Sequence, residues 1–111
     1  MIVEYVRYAI PAERRAAFEA DYATAARALR ASSHCEAFEM SRCVEDPTQF
    51  VLRIEWDSAE GHMQGFRRSP EFARFFAAIR PYVGDIVEMR HYDALPAMTH
   101  RAGAPDGSGA P

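Results

Sequence analysis

The run from Gln49 to Phe76 constrains the fold more than any other part of the chain. Phe50, Leu52, Ile54 and Trp56 alternate with Val51, Arg53 and Glu55, so residues 49–56 read as a β-strand ending on the only tryptophan. Asp57-Ser58 follows. Either residue can cap a helix, and Glu60 stands three after Asp57, as a capping box requires. Residues 59–68 are expected to be helical, with Met63 and Phe66 inward and His62 four before Phe66 on one side; Gly61 and Gly65 weaken this segment. Ser69-Pro70 is a second start signal, a cap followed by a proline whose missing N–H is harmless at the first helical position. Phe72, Phe75, Phe76 and Ile79 then form an apolar stripe. A tryptophan, a histidine and an aromatic wall thus meet where a strand feeds a helix.

The remaining elements follow from the same periodicities. Residues 2–10 are β-branched and aromatic on both faces, as in a central strand covered on both sides. A helix runs from Pro11 to about Ala31, its inward stripe carried by Phe18, Tyr22, Ala25 or Ala26, and Leu29. Residues 37–45 alternate, with Phe38, Met40 and Val44 on one face, and the Asp46-Pro47-Thr48 turn joins them to the 49–56 strand as a hairpin. Residues 85–92 give a last strand. The order β-α-β-β-α-β is the α+β, ferredoxin-like arrangement: a four-stranded antiparallel sheet with helices on one face. Residues 1–93 are expected to form this domain. Residues 94–111, with Pro96, Pro105, Pro111 and three glycines, are expected to form a disordered tail. The second sheet face needs a cover, and a second copy of the chain is the simplest one, so a homodimer packed through the sheet face is expected.

Charge and composition exclude several classes. At 111 residues the chain has room for one domain. Net charge is −3 with no basic cluster, which argues against nucleic acid as a partner. No apolar run approaches the length of a membrane span, and no signal-type N-terminus is seen, so a cytoplasmic protein that does not engage membranes is expected. There is no lysine, which removes Schiff-base chemistry, and no asparagine. Cys35 and Cys43 fit no zinc spacing and read as free thiols, and the histidines share no metal-ligand spacing, so no metal is expected.

The strand ending Ile54-Glu55-Trp56-Asp57-Ser58, then His62, then Ser69-Pro70-Glu71-Phe72, in a β-α-β-β-α-β chain of this length, resembles the antibiotic biosynthesis monooxygenase family. The resemblance covers residues 1–93. It implies a dimeric α+β barrel and an oxidoreductase that works without metal, flavin or heme. A phenol or anthrone is deprotonated in an apolar pocket, and its carbanion reacts with O₂ to give a quinone. Heme-degrading relatives use an asparagine, a tryptophan and a histidine. Trp56 matches the tryptophan, Phe76 falls near the histidine position, and the absent asparagine has no counterpart, so heme degradation is disfavoured.

His62 is the expected catalytic base, since an imidazole titrates near neutrality. Trp56, Tyr22, Phe66, Phe72 and Phe76 are the expected walls for a small apolar aromatic ligand, and whichever of Tyr5 and Tyr8 faces the helices could join them. Arg7, Arg53, Glu55, Glu88 and Arg90 read as cross-strand or cross-dimer ion pairs, with a substrate-carboxylate site as the alternative. His91 reads as structural, and His34 and His100 show no partner. The alternative to an enzyme is a dimeric module of the same fold that binds a small ligand or a partner protein without turnover.

Overall fold

The computed structural model describes residues 1–103. Four strands, β1 (Ile2–Ala9), β2 (Cys35–Arg42), β3 (Gln49–Trp56) and β4 (Ile86–Asp93), form one antiparallel sheet in the order β2-β3-β1-β4. Helices α1 (Arg15–Ala31) and α2 (Pro70–Ile79) pack on one face. This is the expected α+β arrangement, with β1 in the interior of the sheet. Its even-numbered residues point at the helices, and Val6, Tyr8 and the following Ile10 join Phe50, Leu52, Ile54 and Trp56 of β3 in the core.

Phe18, Tyr22, Ala25 and Leu29 are the buried stripe of α1. Phe18 holds the core's centre. Its ring centroid lies 4.8 Å from that of Phe50 and 5.1 Å from those of Tyr8, Tyr22 and Tyr82. Ser69 caps α2 as expected: its Oγ accepts the Phe72 N–H at 3.2 Å, and Pro70 occupies the first turn.

Three expectations are corrected. β2 ends at Arg42, so Val44 turns out to solvent instead of sharing the Phe38–Met40 face. Residues 59–68 do not form an α-helix. A π-helical turn, Gly61–Gly65, runs into a 3₁₀ turn, Phe66–Arg68, and the Phe66 N–H reaches the carbonyls of both Gly61 and His62. The wider turn keeps His62 and Phe66 inward and leaves Met63 about half exposed. His34, expected to have no partner, has its Nδ1 2.9 Å from Asp57 Oδ2.

That pair explains the two glycines. A Cβ on Gly61 would lie 1.8 Å from Asp57 Oδ1, and one on Gly65 would lie 2.2 Å from His34 Nε2. The π-turn can sit on the His34–Asp57 pair only because both residues lack side chains. Gly65→Ala is expected to cost about 1–3 kcal/mol by overpacking. Denaturant melts check this, and His34→Ala in the same chain should recover part of the loss.

On the opposite sheet face the strand charges pair, one of them across strands as expected and the others along a single strand. Arg7 Nη1 meets Glu88 across β1 and β4 at 3.3 Å, and Arg53 Nη1 meets Glu55 along β3 at 2.5 Å. Arg53 holds the Glu55 carboxyl below its usual range, against the effect of burial. Of residues 94–111, the first ten are described. Ala94 N–H donates to the Met1 carbonyl, Pro96–Met98 make one 3₁₀ turn, and Arg101 reaches Glu55 at 3.1 Å. The remainder of the expected tail lies outside the described residues.

Candidate active site

β3 delivers Trp56 to the helix-facing side of the sheet just ahead of the π-turn, and Trp56 is 1% exposed. The π-turn returns His62 flat onto the indole, with ring centroids 4.4 Å apart and planes 9° from parallel. Phe66, one turn on, tilts against the indole at 5.0 Å. From Phe66 an aromatic chain continues to Phe72 at 5.5 Å and Phe75 at 5.7 Å. Phe75 in turn meets Tyr22, whose hydroxyl shares a 2.5 Å hydrogen bond with that of Tyr8.

These side chains line a cavity of about 210 Å³ between the sheet and α2. All six expected site residues border it: His62, Trp56, Tyr22, Phe66, Phe72 and Phe76. Phe76 stands at the rim, about two-fifths exposed and stacked on Phe72. Tyr8 is the tyrosine of β1 that lines the cavity, whereas Tyr5 lies on the other face of the sheet against Tyr92.

Two polar residues of the site were not expected there. Glu4 shares the even face of β1 with Val6 and Tyr8 and is 3% exposed. Its Oε1 accepts the indole N–H of Trp56 at 3.0 Å. His91 of β4 is its direct cross-strand partner. His91 Nε2 lies 2.7 Å from His62 Nδ1, and one of these nitrogens donates to the other. His62 Nε2 is 3.6 Å from Glu4 Oε1, and His91 Nε2 is 3.7 Å from Glu4 Oε2. A buried Glu4–His62 pair therefore connects through His91 to the surface.

Burial works against charge on both members of the pair. It raises the proton affinity of the Glu4 carboxyl, against the Trp56 hydrogen bond and the nearby His91 and Arg67. It also pushes His62 down to about 4, helped by the same two neighbours, His91 and Arg67. The short Glu4–His62 distance suggests an ion pair, whereas burial opposes charge on both groups. Glu4 is thus a stronger base than an exposed carboxylate, and His62 a weaker one than a free imidazole. Burial also moves Tyr8 up to about 12 and Tyr22 further up, so both phenols stay protonated and can donate.

A signal for Glu4 existed in the sequence. It is the one charged residue at an even position of a strand whose other even positions, Ile2, Val6 and Tyr8, are apolar or aromatic. His91 had no such signal, because its place depends on the pairing of β4 with β1.

Comparisons with known proteins agree with this architecture. The family model described as antibiotic biosynthesis monooxygenase matches residues 1–78. Among solved structures, a proposed antibiotic biosynthesis monooxygenase from Bordetella bronchiseptica is 24% identical, with a TM-score of 0.69 over 84% of this chain and 95% of that one. SnoaB, a cofactor-independent oxygenase from Streptomyces nogalater, solved as a mutant, is 16% identical, with a TM-score of 0.69 over 84% of this chain and 91% of that one. At these identities the likeness shows the fold. An uncharacterised Bacillus subtilis protein, YczJ, is 28% identical over 53 residues, which span 48% of this chain and 56% of YczJ, so the match covers little more than half of that relative. Among the described residues no helix is long and apolar enough to cross a membrane. With residues 1–78 matched by its model and its fold shared across the sheet, the chain belongs to the antibiotic biosynthesis monooxygenase family.

Proposed function

We propose that the chain is a monooxygenase of a small one- or two-ring phenol, bound in the Trp56–Phe76 cavity and deprotonated by the Glu4–His62 pair. The observation that carries this reading is a buried carboxylate and imidazole 3.6 Å apart in the wall of an otherwise largely aromatic cavity. Such a wall holds a flat ring, and desolvation makes the carboxylate a better proton acceptor. The proton moves from the substrate to the pair, and the resulting carbanion transfers electrons to O₂. One oxygen atom becomes the new carbonyl and the other leaves as water: the carbon para to the hydroxyl, R₂CH₂ in the phenol's keto tautomer, reacts with O₂ to give the R₂C=O of the quinone and H₂O. Trp56 N–H fixes Glu4, and the hydrogen-bonded Tyr8–Tyr22 pair keeps one O–H free to donate to the developing oxyanion.

The cavity, at about 210 Å³, lies below the range of roughly 300–1,000 Å³ usual for drug-sized ligands, which favours a one- or two-ring substrate. Oxygen uptake and quinone absorbance over a panel of mono- and bicyclic phenols, with a chelator present, test the proposal. Turnover of a small member is the expected result, and none across the panel overturns it. The near-complete burial of Trp56 and Phe66 by their neighbours also suits a non-catalytic binding module. That reading predicts ligand-induced quenching of Trp56 fluorescence without oxygen uptake. We also read the outward sheet face, where Tyr92 of β4 is about half exposed and packs edge-on against Tyr5, as continuing into a homodimer interface. Sedimentation at micromolar concentration should then give the mass of two chains.

A further inference from the structure

We propose that Glu4, His62 and His91 form a binding site for one divalent first-row transition-metal ion. The three come from β1, the π-turn and β4, and a ligand atom from each lies within 4.8 Å of the others. Two atoms bound to one ion at about 2.1 Å stand about 3.0 Å apart at a right angle and about 3.4 Å apart at the tetrahedral angle. His62 Nε2 and His91 Nε2 lie 3.6 Å and 3.7 Å from the Glu4 oxygens Oε1 and Oε2, close to the tetrahedral value, while the 2.7 Å contact to His91 is made by the other ring nitrogen of His62, Nδ1. The three ligand atoms, now within 4.8 Å of one another, must draw together onto one ion. His91 is the partly exposed member and can make that adjustment.

The surroundings suit an ion. Trp56 N–H orients the carboxylate through Oε1, and the indole face fixes the plane of His62, the outer support that metal ligands need. A cation there would also compensate a carboxylate buried among aromatic rings. Two imidazoles and one carboxylate select zinc, iron(II), cobalt(II) or nickel over magnesium and calcium, which prefer all-oxygen sets. Because Glu4 and His62 line the cavity, the remaining coordination positions open onto it. The inference goes beyond the monooxygenase reading and puts the same side chains to a second use, since an ion takes the lone pairs that would otherwise accept a proton.

The test uses the full chain without an affinity tag, stripped by chelator and titrated with Zn²⁺ and with Co²⁺. Calorimetry reads stoichiometry, and the visible absorption of Co²⁺ reads coordination. One ion per chain is expected, with an intense low-symmetry cobalt spectrum and no competition from Mg²⁺. His91→Ala and Glu4→Gln should each weaken binding by about 10- to 100-fold or more. His34→Ala, outside the cluster, should leave it unchanged. His91→Ala alters a partly exposed position and decides the matter even if Glu4→Gln folds poorly. No stoichiometric uptake, or uptake by His91→Ala equal to that of the parent, overturns the proposal, whatever the outcome of the oxygen assay.

Discussion

Glu4→Gln should lower oxygen uptake by about 10²- to 10⁴-fold, the usual contribution of a positioned general base. Glutamine keeps the size of the side chain, and its amide oxygen can still accept the Trp56 N–H, so the indole and the cavity walls should stay in place. What it loses is the ability to hold a proton. His62→Gln should also lower turnover, because His62 Nε2 lies 3.6 Å from Glu4 Oε1 and shares the cavity wall with it. His62→Ala adds a packing defect, since the imidazole lies flat on Trp56. A comparison of Glu4→Gln with His62→Gln separates the roles. If Glu4→Gln turns over like the parent while His62→Gln does not, the proton goes to the imidazole alone. Far-UV circular dichroism on Glu4→Gln checks that the loss is chemical and not structural.

The periodicities carried the architecture because each element has one dominant face. The alternation of residues 49–56 and the three-and-four spacing of Phe18, Tyr22, Ala25 and Leu29 permit little else. The aromatic half of the site was legible for the same reason: Trp56, Phe66, Phe72 and Phe76 are apolar, and hydrophobic burial is what pattern reading detects. Its polar half was less so. A glutamate in a strand reads as a solvent position, and Glu4 is tolerated in the interior because Trp56 offers it a donor from the next strand. His91 enters through β4 pairing with β1, a contact between opposite ends of the domain's sequence. The π-turn was hidden because an α-helix and a π-turn both place residues 62 and 66 on one side. The difference shows at Met63, which an α-helical reading puts inward and the structure leaves about half exposed.

Trp56→Ala should destabilise the fold by about 3–5 kcal/mol through the loss of a fully buried aromatic side chain and the cavity it leaves. The indole touches more than its hydrophobic neighbours. His62 stacks on it, Phe66 leans on it, and Glu4 takes its N–H. Trp56→Phe isolates the last of these. It keeps much of the ring and removes the donor, so it should cost about 1–3 kcal/mol, the penalty for leaving a buried acceptor unpaired. Combining Trp56→Phe with Glu4→Leu removes donor and acceptor together and should cost less than the sum of the single changes. A domain of this kind has only about 5–15 kcal/mol of net stability, so Trp56→Ala brings it near the edge of folding. Because Trp56 is the only tryptophan, urea melts followed by circular dichroism must replace fluorescence. A Trp56→Phe loss below a few tenths of a kcal/mol, or strict additivity with Glu4→Leu, would mean that the indole N–H does not hold Glu4. The site would then lose the contact that sets its carboxylate against His62.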